Sequence, residues 1–173
     1  MILRPVSIED APALARLGRE SFCAKFAHLY APEDLQAFLT EVYSPETVAA
    51  EIADPALTYR VTQDVEGGPL TAFAKLRDPS PYASHSDARR PIALGQLYTD
   101  PARTGQGLGA ALMEWTIGEA RGRGCDAIQL SVYSDNPEAQ RFYARHGFAR
   151  IADIFFMVGN HRDDEHLMEL RLR

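Results

Sequence analysis

The chain has few cysteines, no long apolar run and no cluster of basic residues. Only two of its 173 residues are cysteine, Cys23 and Cys125, and neither has a metal-ligand or redox spacing. We expect both to be reduced packing residues of a cytoplasmic protein. No apolar run approaches the length that crosses a bilayer, and Met1–Asp10 has no apolar signal core. A membrane protein is therefore not expected.

The charge balance is acidic, with 18 Lys and Arg against 24 Asp and Glu and a formal net charge of −6. Nucleic-acid binding needs clustered Lys and Arg, so we expect no nucleic-acid partner. Between Phe26 and Tyr59 there are six acids and no Lys or Arg. Such a segment is able to attract a cationic acceptor. A solvated helix face explains it equally well.

A glycine-rich turn lies in Leu97–Leu112, which reads as a strand end, a loop and the start of a helix. Gly105, Gly107 and Gly109 leave backbone N–H groups uncovered where the helix begins, which favours a phosphate or pyrophosphate. The turn lacks the Gly-Lys-Ser/Thr ending of a P-loop. It fits the dinucleotide fingerprint loosely, because Asp126, about 20 residues on, opens the next strand and does not close it. A tight structural turn is the remaining alternative.

A second motif follows one strand later. Residues 136–148 have the pattern Asn-x-x-Ala-x-x-Phe-Tyr-x-x-x-Gly-Phe. Together with Gly107 and Gly109, this motif resembles the GNAT superfamily of N-acetyltransferases. The family usually has Arg or Gln where this chain has Thr104, with Arg103 displaced by one position. That departure concerns a side-chain phosphate contact and leaves the backbone donors in place.

The resemblance implies a single GNAT domain over residues 1–173. Its fold class is α/β, with a mixed, mostly antiparallel twisted sheet flanked by helices. It also implies acetyl-CoA as the cosubstrate, no metal, and direct attack of an amine on the thioester in a ternary complex. The implied cofactor contacts are Leu97, Tyr98, Thr99, Thr104, Gly105, Gln106, Gly107, Leu108, Gly109, Ala110, Asn136 and Arg145.

Tyr143 is the implied catalytic residue, because the tyrosine of this motif acts in the family as general acid for the departing thiolate. A phenol with a reference pKa near ~10 is protonated at neutral pH and can donate. Aromatic packing beside Phe142 is the alternative role. Asn136 directly precedes Pro137, so it is expected to cap a helix, to contact the cofactor, or both.

The general base is not identified by the sequence. Many family members have a glutamate on the strand before the glycine turn, but Ile92–Thr99 contains no acid. Glu41, His85 and His166 are candidate bases, directly or through water. Residues Gly159–Glu165 read as a polar connection, followed by a final alternating strand over His166–Arg173.

The acceptor is expected to be a small-molecule amine. Parts of the chain look similar to small bacterial GNATs grouped with polyamine acetyltransferases, which favours a polyamine or another cationic molecule. A protein N-terminus or an amino acid is the alternative acceptor. Rival functions are a non-catalytic acyl-CoA-binding module and a nucleotide-binding domain. A homodimer is left open.

Overall fold

Seven strands form one sheet in the computed structural model, which describes residues 1–173. The strands are β1 (Ile2–Pro5), β2 (Leu57–Gln63), β3 (Leu70–Arg77), β4 (Pro91–Thr99), β5 (Ala127–Tyr133), β6 (Ala149–Val158) and β7 (His161–Arg171). Their order across the sheet is β1-β2-β3-β4-β5-β7-β6. All neighbours are antiparallel except β4 and β5. The expected α/β class with a mixed, mostly antiparallel sheet is confirmed.

Five helices flank the sheet: α1 (Ala11–Phe26), α2 (Pro32–Tyr43), α3 (Pro45–Ala53), α4 (Leu108–Gly122) and α5 (Pro137–Arg145). Proline begins α2, α3 and α5, where its missing N–H costs nothing. Ser44 caps α3 by accepting a 3.1 Å hydrogen bond from the amide of Thr47. None of the helices combines the length and the apolar composition that a membrane crossing requires.

Strand β3 shows how the two faces of the sheet are covered. Ala72 and Leu76 pack in one core with Leu112 and Met113 of α4, whereas Phe73 packs in another core with residues of α1 and α3. This alternation follows from the two-residue period of a strand. Leu112 and Met113 are fully buried, and burial of such a side chain stabilises the fold by about 1.5–3 kcal/mol.

Strands β4 and β5 diverge soon after they begin. They pair only where Pro91–Ala93 lies beside Ala127–Gln129. Beyond that point β4 stays paired with β3 as far as Thr99, and β5 stays paired with β7 as far as Tyr133. The edge of β4 that faces β5 therefore has no strand partner in its second half. The opening lies where the chain leaves β4 for α4 and leaves β5 for α5.

Strand β7 is longer than the sequence indicates, which corrects one expectation. Residues Gly159–Glu165 were expected to form a connection, but β7 begins at His161 and pairs with β6 over its whole first half. The hydrophobic alternation that marks a strand is missing there, because charged residues occupy both faces. Asp163 and Glu165 lie on one face and line a cleft, while their neighbours on the other face are polar too.

Candidate active site

Two clefts open at the divergence of β4 and β5. The first has a volume of about 610 Å³ and the second about 500 Å³. Seven residues line both clefts: Lys25, Phe26, Leu97, Tyr133, Asn136, Ala139 and Tyr143. We call these residues the shared wall. Molecules bound in the two clefts would meet there.

The glycine turn forms the floor of the first cleft. Gly105 and Gly107 have φ angles of +77° and +80°, which side chains rarely adopt, and Gly107 precedes the first residue of α4. The first amide bonded within this helix is that of Ala111, which donates to the carbonyl of Gly107. The amides of residues 105–110 donate to no group of the chain. Free donors at the positive end of a 15-residue helix suit an anion.

Four basic side chains line the first cleft: Lys25, His28, Arg103 and Arg145. The guanidinium of Arg103 donates to both oxygens of Asp64, at 2.6 and 2.8 Å, and this ion pair lowers the pKa of the Asp64 carboxyl. Gln106 does not line the cleft but accepts from Nε of Arg103 at 2.7 Å. Gln106 therefore holds the Arg103 side chain in place.

The end of β4 contributes to both clefts. Leu97 belongs to the shared wall, Thr99 lines the first cleft and Tyr98 lines the second. The carbonyl of Thr99 accepts a 3.2 Å hydrogen bond from the hydroxyl of Ser21 on α1. Burial raises the pKa of the Tyr98 phenol to about 12, so this phenol stays neutral. The three residues expected at the cofactor are thus divided between the clefts.

Helix α5 brings Asn136 and Tyr143 to the shared wall. The side-chain oxygen of Asn136 accepts from the amide of Ala139 at 3.2 Å, which makes Asn136 the helix cap. No side-chain hydrogen bond contributes to the environment of the Tyr143 hydroxyl. Burial, with smaller effects of Tyr98 and Glu165, raises the pKa of Tyr143. Tyr143 therefore presents a protonated phenol to both clefts.

Aromatic side chains and carboxylates line the second cleft. Phe22 and Phe38 pack with ring centroids 4.6 Å apart, and Tyr30 stacks on Phe22 at 5.9 Å. Asp163 and Glu165 line this cleft from β7. Apolar walls with a few polar groups are typical of small-molecule sites.

Glu165 is the most perturbed carboxyl group of the second cleft. Its Oε1 accepts from the hydroxyl of Ser131 on β5 at 3.3 Å. Burial and the nearby charge of Asp163 raise the pKa of Glu165 to about 7, while the Ser131 hydrogen bond opposes the shift. Asp163 is only 6% exposed and accepts a hydrogen bond from Tyr30. At neutral pH, Glu165 is able both to hold and to accept a proton.

None of the candidate bases named from the sequence lines either cleft. Glu41 and His85 are exposed on α2 and in the loop after β3. His166 lies on the opposite face of β7 from Glu165, with Nδ1 3.1 Å from an oxygen of Asp153. Sequence reasoning missed Glu165 because it interpreted that segment as a connection. The alternating acids of β7 were the available signal.

The clefts contain no thiol. Cys23 and Cys125 line neither of them, and burial raises the pKa of both thiols above the ordinary value. A buried thiol with a raised pKa is a poor nucleophile. No group of three His, Cys, Asp or Glu residues is arranged to hold a metal ion.

Known proteins resemble this chain along nearly its whole length. An uncharacterized N-acetyltransferase from Lactobacillus delbrueckii subsp. lactis is 26% identical over 168 residues, 96% of this chain and 95% of the relative. An uncharacterized N-acetyltransferase from Mycobacterium tuberculosis is 28% identical over 159 residues, 92% of this chain and 96% of the relative. The PaiA N-acetyltransferase from Thermoplasma acidophilum, solved in complex with coenzyme A, has the same fold. Its TM-score is 0.79 at 23% identity, over 99% of this chain and 98% of that one.

The family model for "Acetyltransferase (GNAT) family" matches residues 24–148. That range runs from the last turn of α1 to the residue before β6 and includes the glycine turn and all seven residues of the shared wall. The resemblance inferred from the two motifs is thereby confirmed. The chain belongs to the GNAT family and is an acetyl-CoA-dependent N-acetyltransferase.

Proposed function

We propose that the enzyme acetylates a primary amine by direct attack in a ternary complex, with acetyl-CoA in the first cleft and the amine in the second. The observation that carries this proposal is the shared wall, where Leu97, Asn136 and Tyr143 line both clefts. Two substrates that both contact the residues of the shared wall lie next to each other and are positioned for a single transfer step. The absence of a thiol from both clefts favours direct attack over an acyl-enzyme on cysteine.

The pyrophosphate of coenzyme A is proposed to bind the free amides of residues 105–110. Lys25, Arg103 and Arg145 line the same cleft and supply positive charge. Hydrogen bonds between an ionised group and a donor contribute about 1.5–3 kcal/mol each. The unbonded amides therefore provide enough donors to hold the cofactor, although Thr104 replaces the Arg or Gln that the family usually has at this position.

The reacting thioester is proposed to lie along the free edge of β4. Backbone donors near Leu97 and Thr99 then polarise the carbonyl oxygen, since a fixed donor stabilises negative charge as it develops. Tyr143 faces the same point with a neutral phenol, and we assign it the protonation of the departing thiolate. Asn136 holds the start of α5 and so positions Tyr143.

The acceptor is proposed to be a cationic small molecule. Asp163 and Glu165 supply negative charge, and Phe22, Tyr30 and Phe38 offer ring faces that attract cations. Of the six acids in the segment from Phe26 to Tyr59, only Glu51 and Asp54 line the second cleft. The attraction is therefore assigned mainly to β7 and only in part to the acidic segment.

An amino acid is the second candidate acceptor, because Lys75 and Arg77 line the same cleft. Lys75 pairs with Glu51 at 3.2 Å, whereas Arg77 makes no ion pair and is exposed. A free cation here suits a carboxylate. An acceptor with an amine near Glu165 and a carboxylate near Arg77 would use both ends of the cleft.

The test is thiol release from acetyl-CoA in the presence of single amines: 1,4-diaminobutane, spermidine, alanine and an alanine-first dipeptide. Each product is identified by mass spectrometry. A ternary-complex mechanism gives initial-rate lines that intersect when both substrates are varied. Parallel lines would contradict direct attack, and no product with any primary amine would refute the proposed acceptor class.

A non-catalytic acyl-CoA-binding module does not account for the Tyr143 phenol in the shared wall or for the carboxylates of Asp163 and Glu165 in the second cleft. The homodimer, the cytoplasmic location and the single-domain organisation remain predictions. Strand β6 forms the open edge of the sheet and exposes Phe155 and Met157 at 55% and 46%. Light scattering of the wild-type chain and of Phe155→Glu would test assembly through this edge.

A further inference from the structure

We propose that Glu165 accepts the proton that the acceptor ammonium loses before attack. This assignment rests on the proposed function. Glu165 is the register partner of Tyr133, a residue of the shared wall, so it lies beside the point where the two clefts meet. It therefore lies on the acceptor side of the place where the amine must attack.

The other carboxylates of the second cleft are already engaged. Asp163 accepts a 2.5 Å hydrogen bond from Tyr30. Glu51 accepts from Tyr59 and from Lys75, and Asp54 accepts from the amide of Ala56 at 2.9 Å. Glu165 accepts one hydrogen bond, from the Ser131 hydroxyl at 3.3 Å, which is the longest of these contacts. Glu165 is thus the carboxylate that its present partner holds least closely.

The groups around Glu165 set its proton affinity. Asp163 lies two residues away on the same face of β7, with Nε2 of His161 3.3 Å from its other oxygen. From the other elements, Ser131 and Tyr133 of β5, Tyr98 of β4, Tyr143 of α5 and Lys25 of α1 line the same cleft. Burial and the Asp163 charge prevail and raise the pKa of Glu165 to about 7. A base is most effective when its pKa is near the working pH, so this environment suits the task.

The protons balance over the reaction. Glu165 takes one proton from the ammonium and becomes a neutral acid. The free amine nitrogen forms a bond to the acetyl carbon, the carbon–sulfur bond breaks, and its electron pair goes to sulfur. The thiolate takes the Tyr143 proton, and the nitrogen loses its second proton to the Tyr143 oxygen. Glu165 then releases to solvent the one proton that the net reaction produces.

The test compares Glu165→Gln with wild type, using two amines at pH 7. One amine is strongly basic and fully protonated; the other is weakly basic and mostly neutral. With the basic amine, kcat should fall by about 10²- to 10⁴-fold, the usual contribution of a general base. With the neutral amine the loss should be under about tenfold, because no proton has to be removed before attack. Asp164→Asn, on the outer face of the same strand, is the matched control and should match wild type.

The pH profile gives a second readout. Wild-type kcat/KM for the basic amine should rise with pH and level off above an apparent pKa near 7. We call this rising part of the profile the limb, and Glu165→Gln should lack it. Ser131→Ala removes a hydrogen bond that favours the charged form, so it should move the limb to higher pH. Because Ser131→Ala keeps the carboxylate, it tests the assignment even if Glu165→Gln fails to fold.

Several outcomes would overturn the proposal. Wild-type turnover in Glu165→Gln, or an equal loss with both amines, removes Glu165 as the base and leaves the proposed function standing. If the apparent pKa of the limb is the same in Ser131→Ala as in wild type, the assignment of Glu165 is also contradicted. If wild type acetylates no amine, the proposed function fails and this assignment fails with it.

Discussion

The hydroxyl of Tyr30, just after α1, donates a 2.5 Å hydrogen bond to Oδ2 of Asp163 on β7. Both residues are buried and both line the second cleft. Burial first, and the hydrogen bond to Asp163 second, raise the pKa of Tyr30, so Tyr30 remains a donor throughout the neutral range. The bond ties the end of α1 to the strand that carries Glu165.

Asp163→Asn should shift the pH dependence of activity while it preserves the side-chain shape. The negative charge of Asp163 raises the pKa of Glu165, so its removal lowers that pKa. The limb of kcat/KM should then move to lower pH. A pH–rate series on wild type and Asp163→Asn checks the sign, and a shift to higher pH would contradict it.

Glu165 should lower stability above neutral pH. Its folded pKa of about 7 lies above the value near ~4.3 of an unfolded glutamate. The folded state therefore binds more protons between these values, and stability falls as pH rises through that window. Glu165→Gln should remove this dependence and lack, at pH 8, the destabilisation of about 3–4 kcal/mol that the difference between the two pKa values implies. Chemical unfolding at pH 5 and pH 8 measures it, and equal wild-type stability at both would not fit.

Gly109→Asp should weaken acetyl-CoA binding at least tenfold. A Cβ at Gly109 would lie 3.6 Å from the ring of Phe142, an ordinary contact, and the Asp side chain would add a negative charge to the cleft proposed for the phosphates. Loss of one or two charge-assisted hydrogen bonds explains the magnitude. Gly107→Asp would be a less specific test, because a side chain at a φ of +80° would add backbone strain to the change in charge.

The control for this binding test is Gly118→Asp. Gly118 is exposed on the same helix, and a Cβ there meets nothing within 4 Å. Calorimetric titration of both folded variants with coenzyme A should show the loss only at Gly109. Equal affinities would place the phosphates elsewhere.

The variant Tyr143→Phe distinguishes a catalytic role of the hydroxyl from a packing role of the ring. The change removes the hydroxyl and keeps the ring, which contacts Phe142 and Phe148 with centroids 5.4 and 5.8 Å away. Acetyl-CoA affinity should change little, while turnover should fall by about 10²- to 10⁴-fold if thiolate protonation limits the rate. Lost affinity with normal turnover at saturation would make Tyr143 a binding residue.

Acceptor preference should depend on ionic strength. If Asp163 and Glu165 attract a cation, diamines and polyamines should be acetylated faster than alanine at low salt, and the ratio should shrink as salt rises. Rates for 1,4-diaminobutane and alanine at two salt concentrations provide the measurement. A preference for alanine would favour the zwitterionic acceptor and its contact with Arg77.

Most of the residues that line the first cleft could be predicted from the sequence because local rules determine their positions. Glycines with positive φ and a helix start follow one another within Gly105–Leu108, and the α5 motif fixes the positions of Asn136 and Tyr143. The second cleft depends on contacts between distant residues. Tyr30 and Asp163 are far apart in the chain, and only the sheet order places β7 beside β5.

The distribution of charged residues along the sequence predicted the residues of the second cleft poorly. The run of acids from Phe26 to Tyr59 points to cation binding, but Glu33, Glu41 and Glu46 are exposed, and neither cleft includes them. Glu165, the register partner of Tyr133 in the shared wall, lies on β7, in a segment whose polarity hides its strand character. A strand with one face toward a polar cleft and the other toward solvent has no apolar face to reveal it.

The turn between β6 and β7 rests directly on α2. A Cβ at Gly159 would lie 2.6 Å from Oδ1 and 2.8 Å from Cα of Asp34, and the amide of Asn160 donates to the same Asp34 carboxylate at 3.0 Å. Helix α2 carries Phe38 and β6 carries Phe156, and their rings meet edge to face, with centroids 6.1 Å apart, in the lining of the second cleft. Even one added methyl group at Gly159 would force the hairpin and the helix apart. The range of amines that fit can therefore widen through a residue that no substrate touches, so relatives with identical cleft residues need not share a substrate.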